Sequence, residues 1–239
     1  MSIRIGTLSL ISLCLACGPS AKQVLDATRE LSVEVCDPSG GPFTLDITNP
    51  FLPYPEGGVW VLEGGGDRVQ ITVLPDTEVV AGVTTRVVEE REWEGGELVE
   101  VSRNFVVQAP DGSVCYYGED VDDYAGGEIS GHGGAWRAGE GNAAPGILMP
   151  ARPEVGISYK QEVSPGSAED AGAIVGMGET VKVPAGTFTD TLSVLDVNPM
   201  KGEVDPKYYA RGVGMIVDES LKLTEYTGGG LGPPPAAVP

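Results

Sequence analysis

Basic residues are scarce in this sequence. Lys and Arg number 15 against 35 Asp and Glu, a formal net charge of −20. That balance argues against nucleic acid as a partner, because affinity for phosphate needs clustered Lys and Arg. An anionic membrane surface would repel the folded part as well. A cationic partner or a divalent metal stays permitted, and the plainest use of such a charge is solubility. Histidine is scarcer still, with His132 alone. Zinc and copper sites draw on His and Cys, and four Cys with no CxxC pair supply neither a zinc ribbon nor a thioredoxin-like redox site. No GxSxG elbow, Walker A loop or dinucleotide fingerprint occurs. A Ser-His-Asp triad would have to use His132, whose setting "GHGG" reads as a solvated turn. Among enzymes this leaves acid–base chemistry by paired carboxylates, and no spacing selects a pair.

Long apolar runs are also missing. The one apolar segment, Ile5 to Ala16, follows Arg4 and is too short to span a bilayer as a helix. It has the proportions of a signal-peptide core. Ala16 precedes Cys17, Gly18-Pro19-Ser20 follow, and Leu13 and Leu15 stand just upstream. This resembles the lipobox-type signal of bacterial lipoproteins, with Cys14 where that pattern usually has Leu. The resemblance implies cleavage after residue 16, lipidation of Cys17 and anchoring in the bilayer through its acyl chains. Gly18 in place of Asp favours the outer membrane over retention at the inner one. The expected organisation is a signal peptide over 1–16, a lipidated linker or short helix over 17–30, one β-rich domain over 31–226 and a disordered Gly/Pro tail over 227–239. Cys36 and Cys115 then remain in an oxidising compartment. The sequence permits a disulfide between them and does not decide it.

The dominant pattern after Leu31 has period two. In "DRVQITVL" Val69, Ile71 and Val73 share a face, and in "ELVEVSRNFVVQ" Val99, Val101, Phe105 and Val107 alternate with Glu100, Ser102 and Asn104. Half-buried strands need this alternation. Turns at Gly95-Gly96 and Asp111-Gly112 join strands near 83–93, 97–108 and 113–117 as antiparallel neighbours. Further strands are expected at 157–163, 173–183, 188–197, 207–218 and 221–226. The expected fold is all-β and antiparallel, a strongly curved sheet forming a half-barrel or a β-sandwich.

Two stretches stand apart. "GEDVDDYAGGEISGHGGAW" (118–136) gathers Glu119, Asp120, Asp122 and Asp123, with Glu169 and Asp170 in a second acidic segment. Carboxylates suffice for calcium, but Tyr124 and Ala125 break the EF-hand frame. The preferred reading is a solvated loop between strands, with calcium as the alternative and no other cofactor implied. "PGILMP" places Ile147, Leu148 and Met149 between prolines, either plugging the core or forming, with Trp136, the lip of an apolar ligand cavity.

The ordered motifs "VWVLEG", "YYGED", "GAWRAGEGNAAPGILMPARPEVGISYKQE", "GSAEDAG", "VKVPAGTF" and "KYYARGVGMI" resemble a family of uncharacterised secreted β-rich proteins over about residues 50–226. That family lends no catalytic residue. The "VPAGTF…YYARGVG" end also resembles envelope proteins whose curved sheet wraps as a half-barrel, some of which carry lipids. The sequence therefore favours an envelope lipoprotein that acts as a binding or structural module, with a carboxylate hydrolase as the alternative. It leaves open a protein partner or an apolar ligand.

Overall fold

A computed structural model describes residues 18–228. The signal segment, the lipidation expected at Cys17 and the tail from residue 229 lie outside the described residues. The described residues open on a short helix, α1 (Ala21–Asp26), held by a capping box: the Ser20 side chain accepts from the Gln23 amide while the Gln23 side chain accepts from the Ser20 amide. Its buried face, Ala21 and Val24, packs against Ala173 and Val197.

Strands follow in the order β1 (Arg29–Glu30), β2 (Val59–Gly64), β3 (Asp67–Val80), β4 (Val83–Glu94), β5 (Glu97–Gln108), β6 (Val114–Ala125) and β7 (Glu128–Gly131). Then come β8 (Trp136–Arg137), β9 (Gly146–Met149), β10 (Ile157–Lys160), β11 (Ala171–Met177), β12 (Val181–Val183) and β13 (Gly186–Phe188). The last four are β14 (Thr191–Asn198), β15 (Glu203–Ala210), β16 (Gly214–Asp218) and β17 (Leu221–Thr227). Except for the β12–β13 hairpin, they join one sheet ordered β1-β10-β11-β14-β15-β16-β17-β2-β3-β4-β5-β6-β7, with β8 and β9 added on β6. Pairing is antiparallel throughout apart from β1 with β10. The all-β, antiparallel expectation holds. The strong curvature expected with it is not found, since the sheet is neither closed nor strongly curled. Its two arms are instead linked through the segment leading into β9, which pairs with β6 by Cys115↔Ile147 while Ala144 bridges Val163 just after β10.

Several boundaries differ from the sequence reading, each for a local reason. The segment 113–117 continues through the acidic residues to Ala125, because the ladder with β5 runs on past Glu119 to Asp123 and the Gly126-Gly127 turn into β7 falls only after it. The expected solvated loop is therefore mostly strand. The span 207–218 is two strands, β15 and β16, with a turn over Arg211–Val213. Residues 146–149, flanked by prolines, still form a strand. Pro75 interrupts the β3–β4 ladder between Val73 and Thr77, as a residue without an N–H must, and the Arg86 guanidinium donates to the carbonyls of Leu74 and Pro75.

The core packs Trp60, Leu62, Ile71, Ile174, Leu192 and Ile216, all essentially inaccessible. The Trp60 indole N–H donates to the Val213 carbonyl at 2.7 Å. Cys36 and Cys115 form a disulfide with Cα atoms 5.6 Å apart, so the pairing the sequence left open is made. Beside it the Tyr117 hydroxyl donates to the Cys36 carbonyl.

Candidate functional site

Residues directly opposite on neighbouring strands point to the same face of a sheet, so the ladders give the composition of the inner face row by row. Across β4, β5 and β6 the rows are Val88–Asn104–Glu119, Glu90–Ser102–Val121 and Glu92–Glu100–Asp123. The inner face thus passes from apolar to acidic in one direction. The other arm repeats the gradient, from Leu192 through Val194 to Asp196 on β14 and from Tyr209 through Lys207 to Asp205 on β15. A cavity of about 230 Å³ lies between the arms, lined by Leu52, Val106, Leu148 and Met215 as well as by the carboxylates. It shares Glu92, Glu100, Glu119, Glu162, Asp170, Asp196 and Lys207 with a wider space of about 560 Å³.

One bulge decides the geometry of this wall. Between Asn104 and Val106 on β5, strand β6 advances from Glu119 to Tyr116. The extra residue puts Tyr116 and Glu119 on the same face, although three positions apart they would otherwise face opposite ways. Gly118 absorbs the distortion with φ +126°, and a Cβ there would lie 2.2 Å from the Trp136 carbonyl oxygen. Tyr116 then donates to Asn104 Oδ1 and stacks edge-on against Trp136 at 5.3 Å.

The two faces of these strands are charged in different ways. On the outer face acids alternate with bases. Glu89 accepts from Arg91 at 2.7 Å, Arg103 pairs with Asp122 at 3.1 Å, and Arg137 bridges Asp120 at 2.6 Å and Glu78 at 3.0 Å. On the inner face Glu92 and Glu100 are direct cross-strand partners, and Glu90, Glu92, Glu100 and Glu119 have no ion-pair partner among the described residues. Like charges in direct register destabilise a sheet. The one amine lining the smaller cavity, Lys207 Nζ, lies 2.6 Å from Asp196 and 3.5 Å from Asp218.

Burial, then the charge of neighbouring acids, shifts the acids upward. Glu119 is raised to about 8 by burial and by Glu162. Glu162 and Glu100 are each raised to about 7 by burial, helped by Asp170 and Glu92 respectively. Burial and Asp196 raise Asp170 to about 6, and burial holds Glu90 well above the carboxylate range. Burial pulls the Lys207 amine down, but Asp218 and Asp196 outweigh it and keep it firmly protonated. Burial and mutual repulsion thus hold several of these carboxyls protonated near neutral pH.

The residues singled out from sequence are divided by this arrangement. Strand alternation sends Glu119 and Asp123 inward and Asp120 and Asp122 outward into ion pairs, so the four do not form one calcium shell. Among the described residues no group of three or more His, Cys, Asp or Glu is placed to hold a metal ion. Asp170 reaches the cavity, and Glu169 its wider mouth. His132 is exposed, and its Nδ1 lies 2.8 Å from the Val121 carbonyl and 3.1 Å from Asp122, a turn contact. Leu148 lines the cavity and Trp136 backs its Tyr116 wall, whereas Ile147 and Met149 are buried in the core on the disulfide side of β9. Sequence reasoning missed Glu90, Glu92, Glu100, Glu162, Asp196, Lys207 and Asp218. The available signal was the acids at alternate positions of "VVEEREWE", in phase with an otherwise buried face. No family model, curated protein or solved structure matches the chain.

Proposed function

We propose that this chain is a lipid-anchored envelope protein that binds a cationic small molecule in the acid-lined cavity. The observation that carries this reading is the contrast between the faces of β4, β5 and β6. The solvent face neutralises its acids with Arg91, Arg103 and Arg137, while the cavity face of the same strands leaves a row of acids in register. Such a wall is at its lowest free energy with a cation against it. It suits a cation better than the purely apolar ligand considered from the sequence. The anchoring part rests on the Leu13–Cys17 motif.

Titration calorimetry with cationic, neutral and anionic solutes of similar size tests the binding. Cations alone are expected to give heats, and Glu92→Gln with Glu100→Gln is expected to weaken them at least tenfold. Equal binding of neutral solutes would refute the reading. Cys17→Ser is expected to move the protein from the membrane fraction to the soluble one. A second reading, acid–base hydrolysis, draws on Glu119 and Glu162, whose carboxyls hold protons near neutral pH. Turnover of ester, glycoside or peptide substrates that vanishes in Glu119→Gln would favour it.

A further inference from the structure

The spacing of the acids bears on which cation the cavity takes, an inference that rests on the cation-binding reading above. Inward residues recur at every second position of a strand, so successive rows lie about 6.7 Å apart. Glu119 stands in one row, Glu90 in the next, and Glu92 with Glu100 in the third. The acids are therefore stacked along the wall rather than gathered around a point. The same cavity is lined by Tyr54, Tyr116, Leu148 and Met215 beside Ser102 and Asn104, apolar surface that suits methylene groups. The chain supplies its own example of the charge pairing: Lys207 lines the same cavity and sets an ammonium between Asp196 and Asp218.

A buried hydroxyl on the opposite arm, behind Asp196, is a second observation. Tyr159 is fully inaccessible and its hydroxyl has no partner among the described residues. The ladders set Tyr159 opposite Gly172 and Gly172 opposite Asp196. The ring lies across Gly172, where a Cβ would come within 2.4 Å of Cζ, and this carries the hydroxyl over β11 toward Asp196. There Asp196 Oδ2 holds Lys207, while Oδ1 is buried and unpaired. Leaving a phenol oxygen and a carboxylate oxygen both unsatisfied is costly. An ammonium group, with its several N–H donors, satisfies both.

We propose that the ligand is a linear polyamine, with two or more ammonium groups separated by three or four methylenes, lying along the cavity with one ammonium at Asp196 and Tyr159 and another against Glu92 and Glu100. Amines so spaced are about 5–6 Å apart at ordinary bond lengths, a span that fits within the one cavity that both stations line. The inner cavity, about 230 Å³, holds one such unit, and the wider space beyond it admits a longer chain.

Calorimetry on the folded protein should compare a linear triamine with three- and four-methylene spacers, butylamine and calcium chloride. The triamine is expected to bind at least tenfold more tightly than either of the others, as charge-assisted hydrogen bonds at two stations require. Glu92→Gln with Glu100→Gln should weaken the triamine at least tenfold and Tyr159→Phe severalfold. Asp120→Asn, on the outer face, should leave it unchanged. The Gln variants relieve repulsion, and a thermal melt run alongside establishes that they are folded. Equal affinity for butylamine, or preference for calcium, overturns the polyamine inference and leaves the cation reading standing. An unchanged Tyr159→Phe overturns the placement at Asp196. No binding of any cation overturns both the inference and the reading beneath it.

Discussion

Replacing Glu119 by Gln should stabilise the ligand-free protein, and by an amount that grows with pH. The carboxyl is held at about 8 against an ordinary 4.5. In the unfolded chain it ionises near 4.5, whereas in the fold it keeps its proton until about 8. Stability associated with this group is therefore fully present below pH 4.5 and is lost as pH rises through 8. At about 1.4 kcal/mol per pH unit the loss has an upper bound of roughly 5 kcal/mol. Water in the cavity screens part of that, and about 2 kcal/mol is the expected scale at pH 8.5. Gln has no charge to bury, so Glu119→Gln should raise Tm by about 4–8 °C at pH 8.5 for a chain of this size, and by little at pH 4.5. Differential scanning calorimetry across that range measures the difference. Glu100, Glu162 and Asp170 carry the same sign, so the unmodified protein should itself melt higher at pH 5 than at pH 8.5. A Glu119→Gln advantage that does not vary with pH, or a less stable variant at pH 8.5, would refute the assignment of Glu119 to a desolvated, acid-rich wall.

Two further substitutions probe the scaffold. Cys36→Ser removes a crosslink between residues 79 apart in sequence and should cost about 4 kcal/mol in denaturant unfolding; a loss below about 1 kcal/mol would mean the crosslink adds little. Gly172→Ala forces a methyl into the Tyr159 ring and should cost about 1–3 kcal/mol. Most of that penalty should vanish when Tyr159 is also Ala, because the two side chains compete for one space; simple additivity in the double-mutant cycle would show that they do not.

Strands with alternating faces and glycine turns were plain in the sequence: β4 and β5 begin where Val83 and Glu97 suggested, since local geometry sets both signals. What an alternating polar face looks onto was not. Glu100, Ser102 and Asn104 read as the solvent side of β5, yet they line an internal cavity, and period two is the same whether the water is outside or inside the protein. The acidic run from Glu119 to Asp123 misled for a related reason. Its residues are adjacent in sequence, but a strand turns neighbours to opposite faces, so Glu119 lines the cavity while Asp123, on the same face, accepts from the Gly133 amide instead. The bulge at Gly118 and the contacts of Tyr159 over Gly172 depend on partners many residues away, which composition does not encode. The Lys207 pairs were hidden likewise, because Asp196 and Asp218 come from two other strands.

The place of β17 in the sheet has a consequence for how the molecule is made. This last strand lies between β16 and β2, the first long strand of the chain. Until residues 221–227 arrive, β2 and β16 present open edges, which invite pairing with other chains. The two arms thus stay unfinished until β17 is available, and joining them is a contact of very long sequence separation, slow by its topology. A chain built this way completes its sheet only when residues 221–227 join β16 to β2, so a truncation before residue 221 should leave both edges open to association.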